Sequence, residues 1–321
     1  MHVLVIGGAG YIGSHVVKAL LQQGIKVSVF DNLSTGTKLN LFNEAEFIEG
    51  DILNYEQILS AMKNNVDGVI LLAGKKAVGE SMENPMKYAL NNLSGVINVF
   101  NAMVKAGVDK VIFSSSAAVY GVPQYYPMDE MHPVNPMSFY GFTKLETERL
   151  LRWYDELKGI KFVSLRYFNA VGYDEAGDVK GLEENPQNLL PIVMEAAVGK
   201  REKVKIFGND YDTKDGTCIR DYIHVTDLGK AHALAIQYLD NGGESQVLNL
   251  GTSVGSSVLE MILKTQEIIG KPVPYEFAPR RAGDPAVVTA KADKAEKILG
   301  WKAEHSDLDN IIHSTWNAYN R

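Results

Sequence analysis

The sequence predicts an α/β fold, a doubly wound parallel sheet with helices on both faces, joined to a smaller mixed α/β lobe. Three observations lead there. Short apolar runs alternate with amphipathic stretches through the first half of the 321 residues. The first apolar run passes straight into a glycine-rich turn. The alternation then loosens after about residue 170.

The expected strands are 3–6, 27–30, 47–48, 68–72, 111–113 and 162–166. Continuous apolar runs of this kind suit strands covered on both faces. Between them, 55–62 and 97–104 carry helical spacing. Such alternation builds a parallel sheet, whose ligands sit at the carboxyl ends of its strands. Later, 174–181 and 208–216 are polar loops, and Pro272, Pro274, Pro279 and Pro285 punctuate a further stretch. The expected division is a first domain over 1–168 and a ligand-binding lobe over 169–321. An apolar run at 247–251 follows the helical stretch 228–239, so the chain is expected to rejoin the first domain at about 222–251, with the two interleaved.

The turn after the first strand reads Gly7-Gly8-Ala9-Gly10-Tyr11-Ile12-Gly13. Gly7 allows a tight turn, Gly10 lets the backbone approach a pyrophosphate, and Gly13 lets the next helix sit close to the sheet. The positive end of that helix faces the phosphates. A glycine triplet alone is often only a turn. Here a strand precedes it, a helical pattern follows, and Asp31 ends the second strand, which is the Rossmann-type arrangement. A carboxylate there accepts hydrogen bonds from a ribose 2′-hydroxyl and repels a 2′-phosphate. Asn32, Leu33 and Ser34 add no arginine, so NAD is expected rather than NADP. The plainer role for Asp31 is to cap a turn with Asn32.

Composition excludes some classes. The net charge is −7 with no basic cluster, which argues against nucleic-acid binding. An anionic substrate must then be held by a few placed cations and helix ends. The one cysteine, Cys218, allows no intrachain disulfide and suits a reducing compartment, where it fills a small buried space. The seven histidines lack metal-ligand spacing, and no apolar run approaches membrane-spanning length. With a strand at its very start, the chain is expected to be a cytoplasmic protein without a signal peptide, membrane segment or metal.

The candidate chemistry lies further on. Strand 111–113 runs into Ser114-Ser115-Ser116-Ala117-Ala118, and later comes Tyr140-Gly141-Phe142-Thr143-Lys144. Tyr140 and Lys144 share one helix face. A lysine ammonium and the positive nicotinamide of NAD both favour a phenolate, which makes Tyr140 a general base. Ser116 is placed to bind the same substrate oxygen. Either element alone is commonplace, a surface pair or a serine turn; their occurrence in order with the glycine turn and Asp31 carries the reading.

Those motifs together make the chain resemble the extended short-chain dehydrogenase/reductase superfamily. Lys76-Ala77-Val78-Gly79-Glu80-Ser81 and Arg220-Asp221-Tyr222-Ile223-His224-Val225, with 31–33, 166–169, 187–191, 206–211 and 278–284, narrow the resemblance to the NAD-dependent UDP-glucose 4-epimerase family. The resemblance spans nearly the whole chain. It implies a galactose-metabolism isomerase that interconverts UDP-glucose and UDP-galactose with tightly bound NAD. Tyr140 would take the proton of the sugar 4-hydroxyl as hydride leaves C4; a 4-keto sugar would rotate and take hydride back on its other face. Lys144 and Lys76 would lie by the nicotinamide and its ribose, Asp51 and Ile52 by the adenine, and Tyr167 by the nicotinamide. Tyr11, Ile12, Asn32, Leu72, Ala73, Gly74, Asn91 and Ser114 complete the implied cofactor contacts. For the UDP-sugar the resemblance implies Ser116, Tyr140, Asn169, Asn188, Leu189, Phe207 over the uracil, Arg220 and Arg281 on the diphosphate, Asp284 on the ribose and Val288 by the sugar. Guanidinium forks match phosphate oxygens. It also implies a homodimer formed through helices near 93–104 and 144–153.

Four positions depart from that pattern. Leu71 stands where relatives carry His, Phe139 where Pro commonly starts the catalytic helix, and Ala118 where Thr or Ser is frequent. Val288 stands where a large Tyr is associated with excluding N-acetylated sugars. UDP-N-acetylglucosamine or UDP-glucuronate 4-epimerisation is therefore the alternative. A nucleotide-sugar 4,6-dehydratase would need an acid after Ser116, where Ala117-Ala118 stand, and a non-catalytic NAD-binding regulator would not need the Tyr–Lys pair. His224 is expected near the lobe junction, and Tyr125, Tyr126, Trp153 and Trp301 in packing.

Overall fold

The computed structural model describes residues 1–63, 65–184, 186–281 and 283–321. In chain order the first half contains β1 (His2–Ile6), α1 (Tyr11–Gln22), β2 (Lys26–Asp31), β3 (Glu46–Glu49), α2 (Tyr55–Met62) and β4 (Gly68–Leu71). Then come α3 (Val78–Glu83), α4 (Pro85–Ala89), α5 (Gly95–Ala106), β5 (Lys110–Ser116), α6 (Phe139–Lys158), β6 (Lys161–Tyr167) and β7 (Asn169–Val171). The rest comprises α7 (Leu189–Ala197), β8 (Val204–Phe207), β9 (Ile219–Arg220), β10 (Tyr222–His224), α8 (Val225–Asp240) and β11 (Gln246–Leu250). It ends with β12 (Ser256–Ser257), α9 (Val258–Ile269), β13 (Tyr275–Ala278), β14 (Val287–Val288), α10 (Asp293–Leu299) and α11 (Leu308–Tyr319).

Seven strands form one parallel sheet in the order β11-β6-β5-β4-β1-β2-β3. Alternate residues of each strand face opposite layers. Val3 and Val5 of β1 enter a core shared with α1 and α8, while Leu4 and Ile6 enter a core shared with α2 and α5. Burial on both faces is the reason the strands read as unbroken apolar runs. The order reverses direction at β1–β4, and the strand ends there open the crevice that such sheets offer to ligands. Three small sheets, β10-β7, β12-β9-β14 and β13-β8, build the remaining lobe.

Phe139 in place of proline leaves the start of α6 well specified. The Ser138 side chain caps the helix by accepting from Gly141 N at 3.1 Å. Ser81 and Met82 of α3 accept from the N–H groups of Tyr140 and Phe139 at 3.1 and 3.3 Å. Leu71 is fully buried in the α2/α5 core, so an apolar residue fits where relatives have histidine. Trp301 is buried as expected, its indole donating to Asp227 O at 2.9 Å. Trp153, Tyr125 and Tyr126 are not in packing but exposed. Trp153 falls off the inward stripe of α6, which is taken by Lys144, Leu145, Glu148 and Leu151. No helix among the described residues is long and apolar enough to cross a membrane.

Burial holds three histidines neutral, lowering His15 and His232 to about 4 and His224 to about 3. In the unfolded chain the same groups titrate near 6.5. As pH falls below that value the unfolded chain takes up protons that the folded one refuses, so stability must drop. The melting temperature is expected to fall steadily from pH 6.5 toward 4. The fall should be shallower in His232→Leu, as followed by thermal melts across that range.

Candidate active site

A cleft with a cavity volume of about 400 Å³ opens at the carboxyl ends of the central strands. Its floor is the glycine turn. Gly7 has φ +89°, and a Cβ there would stand 2.7 Å from Ala73 N. A Cβ on Gly13 would stand 2.0 Å from Gly7 O, so only glycine lets α1 press against the end of β1. Gly10 differs: a Cβ there would meet nothing but Gly7 O, at 3.3 Å, and would project into the cleft. No side chain caps α1, so its first N–H groups remain for an anion.

Asp31 closes one end. Its carboxylate accepts from Ala9 N at 3.0 Å and Leu33 N at 2.8 Å. Burial raises its pKa, while these two bonds act against the rise. Asn32 beside it donates to Asp51 at 2.8 Å. The neutral turn, the free helix end and the acid are chemically suited to the pyrophosphate and ribose of a dinucleotide.

The reactive groups occupy the middle. Tyr140 enters from the first turn of α6, and Ser116 from the last residue of β5. Burial raises the Tyr140 pKa, while a hydrogen bond with Ser116 lowers it. Lys144, expected together with the nicotinamide to favour a phenolate, stands close by. The Lys144 ammonium lies 5.8 Å from the Tyr140 ring centre and is directed at Ser114 O, to which it donates at 2.7 Å. Lys144 is only 7% exposed, and burial lowers it to about 8. Tyr167 shares a short hydrogen bond with Ser114. A turn of π-helix at Leu90–Ser94 places Asn91 on the cleft and Asn92 in the interior. Asn92 accepts from Lys75 N at 2.8 Å and donates to Thr143 at 3.2 Å.

Of the sequence-derived positions, Gly7, Gly10, Tyr11, Ile12, Gly13, Asp31, Asn32, Ile52, Leu72, Ala73, Gly74, Lys76, Asn91 and Ser114 line this one cleft. So do Ser116, Tyr140, Lys144, Tyr167, Asn169, Asn188, Arg220 and Val288. Asp51 lies behind Asn32 at the rim, and Leu189 packs against the core at the start of α7. Three more lie beyond the cleft wall on the small lobe. Asp284 is ion-paired with Arg220, and the Arg281 guanidinium covers the Phe207 ring at 3.9 Å. Sequence reasoning missed Glu183, which lines the cleft and is ion-paired with Lys76. It also missed Lys75 and Phe168. Glu183 sits in a polar loop with no local signal; only the approach of the two lobes brings it to Lys76.

With this geometry the chain belongs to the NAD dependent epimerase/dehydratase family, whose model matches residues 3–251. It is similar to the UDP-glucose 4-epimerase of Lacticaseibacillus casei, 44% identical over 321 residues that cover 99% of this chain and 96% of that one. Among solved structures it resembles UDP-glucose 4-epimerase from Brucella ovis in complex with NAD, with a TM-score of 0.97 at 42% identity over 99% of this chain and 98% of that one. It also resembles the Bifidobacterium longum UDP-glucose 4-epimerase in complex with NAD+ and UDP, with a TM-score of 0.94 at 41% identity, covering 100% and 98% of the two chains.

The glycines separate two effects. Gly13→Ala is expected to cost about 1–3 kcal/mol of stability through overpacking. Gly10→Ala should leave the melting temperature nearly unchanged and deplete bound NAD. Denaturant melts, and the nucleotide released on denaturation, measure the two.

Proposed function

We propose that the protein interconverts UDP-glucose and UDP-galactose by oxidation and reduction at sugar C4. It is an NAD-dependent isomerase. The observation that carries this reading is the shared cleft: Tyr140 and Ser116 line it together with the glycine turn, Asp31 and the cation Arg220 of the small lobe. When bound, NAD supplies the hydride acceptor and donor for C4 and a positive ring beside the phenol. Tyr140, as the phenolate, takes the proton of the sugar 4-hydroxyl and returns it at the end of the cycle. Ser116 hydrogen-bonds the same oxygen and holds it in line with the phenol. Lys144 lends the positive charge that a phenolate needs inside a buried cleft. Arg220 holds the diphosphate with Arg281, leaving the sugar ring free to turn over between the two hydride steps. Phe207 stacks on the uracil, and Asp284, Asn169, Asn188 and Leu189 complete the nucleotide-sugar contacts. The NAD contacts are those of the glycine turn, Asp31, Asn32, Asp51, Ile52, Lys76, Asn91 and Tyr167. Ala117 and Ala118, both on the cleft, provide no acid to expel a C6 oxygen, which disfavours a 4,6-dehydratase.

In this reading residues 1–168 bind NAD and 169–321 bind the UDP-sugar, the return through β11 interleaving them. Two chains pair through α5 and α6, whose outer faces expose Ile97, Val104, Trp153 and Leu157. The lone buried cysteine favours a cytoplasmic setting. One observation supports a second substrate pair: Val288 lines the cleft where a tyrosine would fill it, leaving room for an N-acetyl group at sugar C2.

Purified protein given UDP-galactose without added NAD is expected to form UDP-glucose in a coupled assay. Tyr140→Phe should lower kcat by about 10²–10⁴-fold while bound NAD is retained. No turnover by the parent protein, with or without supplied NAD, would overturn the reading. Val288→Tyr is expected to lower kcat/KM for UDP-N-acetylglucosamine at least about tenfold with little effect on UDP-glucose.

A further inference from the structure

Behind the reactive groups lies a buried ionic network. Glu148 is one helical turn beyond Lys144 on α6 and is 1% exposed. Its Oε1 accepts from Ser115 Oγ at 2.6 Å and from Arg166 Nε at 2.9 Å; its Oε2 accepts from Arg166 Nη2 at 2.6 Å. Arg166 is itself buried and lies over the Tyr120 ring at 4.9 Å. The Tyr120 hydroxyl donates to Asn249 on β11 at 2.6 Å.

The placement follows from two ladders. Lys144 and Glu148 are four apart on one helix face. Lys144 reaches the backbone of Ser114, and Glu148 reaches the side chain of the next residue, Ser115. Arg166 immediately precedes Tyr167, which bonds Ser114. One carboxylate therefore braces the strand that carries Ser116, the helix that carries Tyr140 and the strand that carries Tyr167. Glu148 is not among the residues lining the cleft, so it acts on the chemistry only through its neighbours, of which Lys144 is one helical turn away.

We infer that Glu148 is a positioning residue for the reaction: held against β5 and β6 one helical turn from Lys144, it supplies the anion that keeps the buried ammonium charged. Lys144 shares its helix face with Tyr140, whose ring centre is 5.8 Å from the ammonium, and with Glu148, and on β6 the adjoining charged and titratable groups are Arg166, bonded to Glu148, and Tyr167, bonded to Ser114. Glu148 is the one anion among them, and it raises the Lys144 pKa against the desolvation that lowers it to about 8. Without that carboxylate, Lys144 would lose its charge at a lower pH than in the parent. The phenol would then face a neutral amine.

The test rests on the 4-epimerase reading and compares the parent with Glu148→Gln, which keeps the shape and an oxygen for Ser115. The alkaline limb of kcat against pH is expected to move about one to two pH units lower in the variant. A purely structural brace would lower kcat evenly at all pH values and leave the limb in place, and that outcome overturns the inference. A second readout needs no turnover. In protein carrying 13Cε-labelled lysine, the resonance lost in Lys144→Arg should titrate at lower pH in Glu148→Gln than in the parent; equal midpoints overturn the inference. Should Glu148→Gln fail to fold because Arg166 is left unpaired, Glu148→Gln with Arg166→Met removes both charges. Its Lys144 midpoint is expected below that of Arg166→Met alone, the comparison that isolates the carboxylate, and equal midpoints again overturn the inference. A parent that turns over no UDP-sugar but shows the lysine shift would refute the substrate reading and leave this inference standing.

Discussion

The buried pair of Glu148 and Arg166 is the interaction on which the site's internal geometry depends. Neither charge sees solvent, and each is matched by the other through two hydrogen bonds. An ion pair so placed adds little net stability compared with apolar packing, but it tolerates no change of register, because a slipped partner leaves a bare charge in the interior. Through Ser115 it fixes α6 against β5, and through Arg166 it fixes α6 against β6. The groups proposed to handle the sugar hydroxyl are thus held by a network they do not belong to. Ser116, Tyr140 and Tyr167 can face the cleft with few bonds of their own, and so keep donors and acceptors for a ligand.

The cleft also resolves how a chain of net charge −7 accommodates two anionic ligands. It does not do so with a positive field. The uncapped start of α1 presents N–H groups over a turn without side chains, and cations enter at separate places: Lys144 in the middle, Lys75 and Lys76 at one wall, Arg220 at the far end. Two of the four are already partnered by acids of the same chain, Lys76 by Glu183 and Arg220 by Asp284. A phosphate or ribose that takes over such a cation exchanges one partner for another, which limits the desolvation penalty of binding.

The departures from the family pattern are absorbed by local chemistry. At the start of α6, a serine cap and two acceptors from α3 do what a proline's fixed φ would have done. At position 71 an apolar side chain simply joins an apolar core. Ala118 and Val288 are different, since both line the cleft. There a smaller side chain changes what the site can hold, not how the chain folds.

The sequence by itself determined the strands of the central sheet, the helices between them implied by alternation, the glycine turn, Asp31, and the local Ser116 and Tyr140–Lys144 motifs. Each rests on a short-range rule: a period of two or 3.6 residues, a turn that excludes a Cβ, or a helical i, i+4 pair. Residues whose meaning depends on distant neighbours were not legible. Glu183 reaches Lys76 across 107 residues of chain, and Arg166 reaches Glu148 across 18. The exposed face holding Trp153 looked like packing because aromatic residues usually are. Only the tertiary structure decided these, because which side of a helix is covered, and which charge finds a partner, depends on how the layers meet.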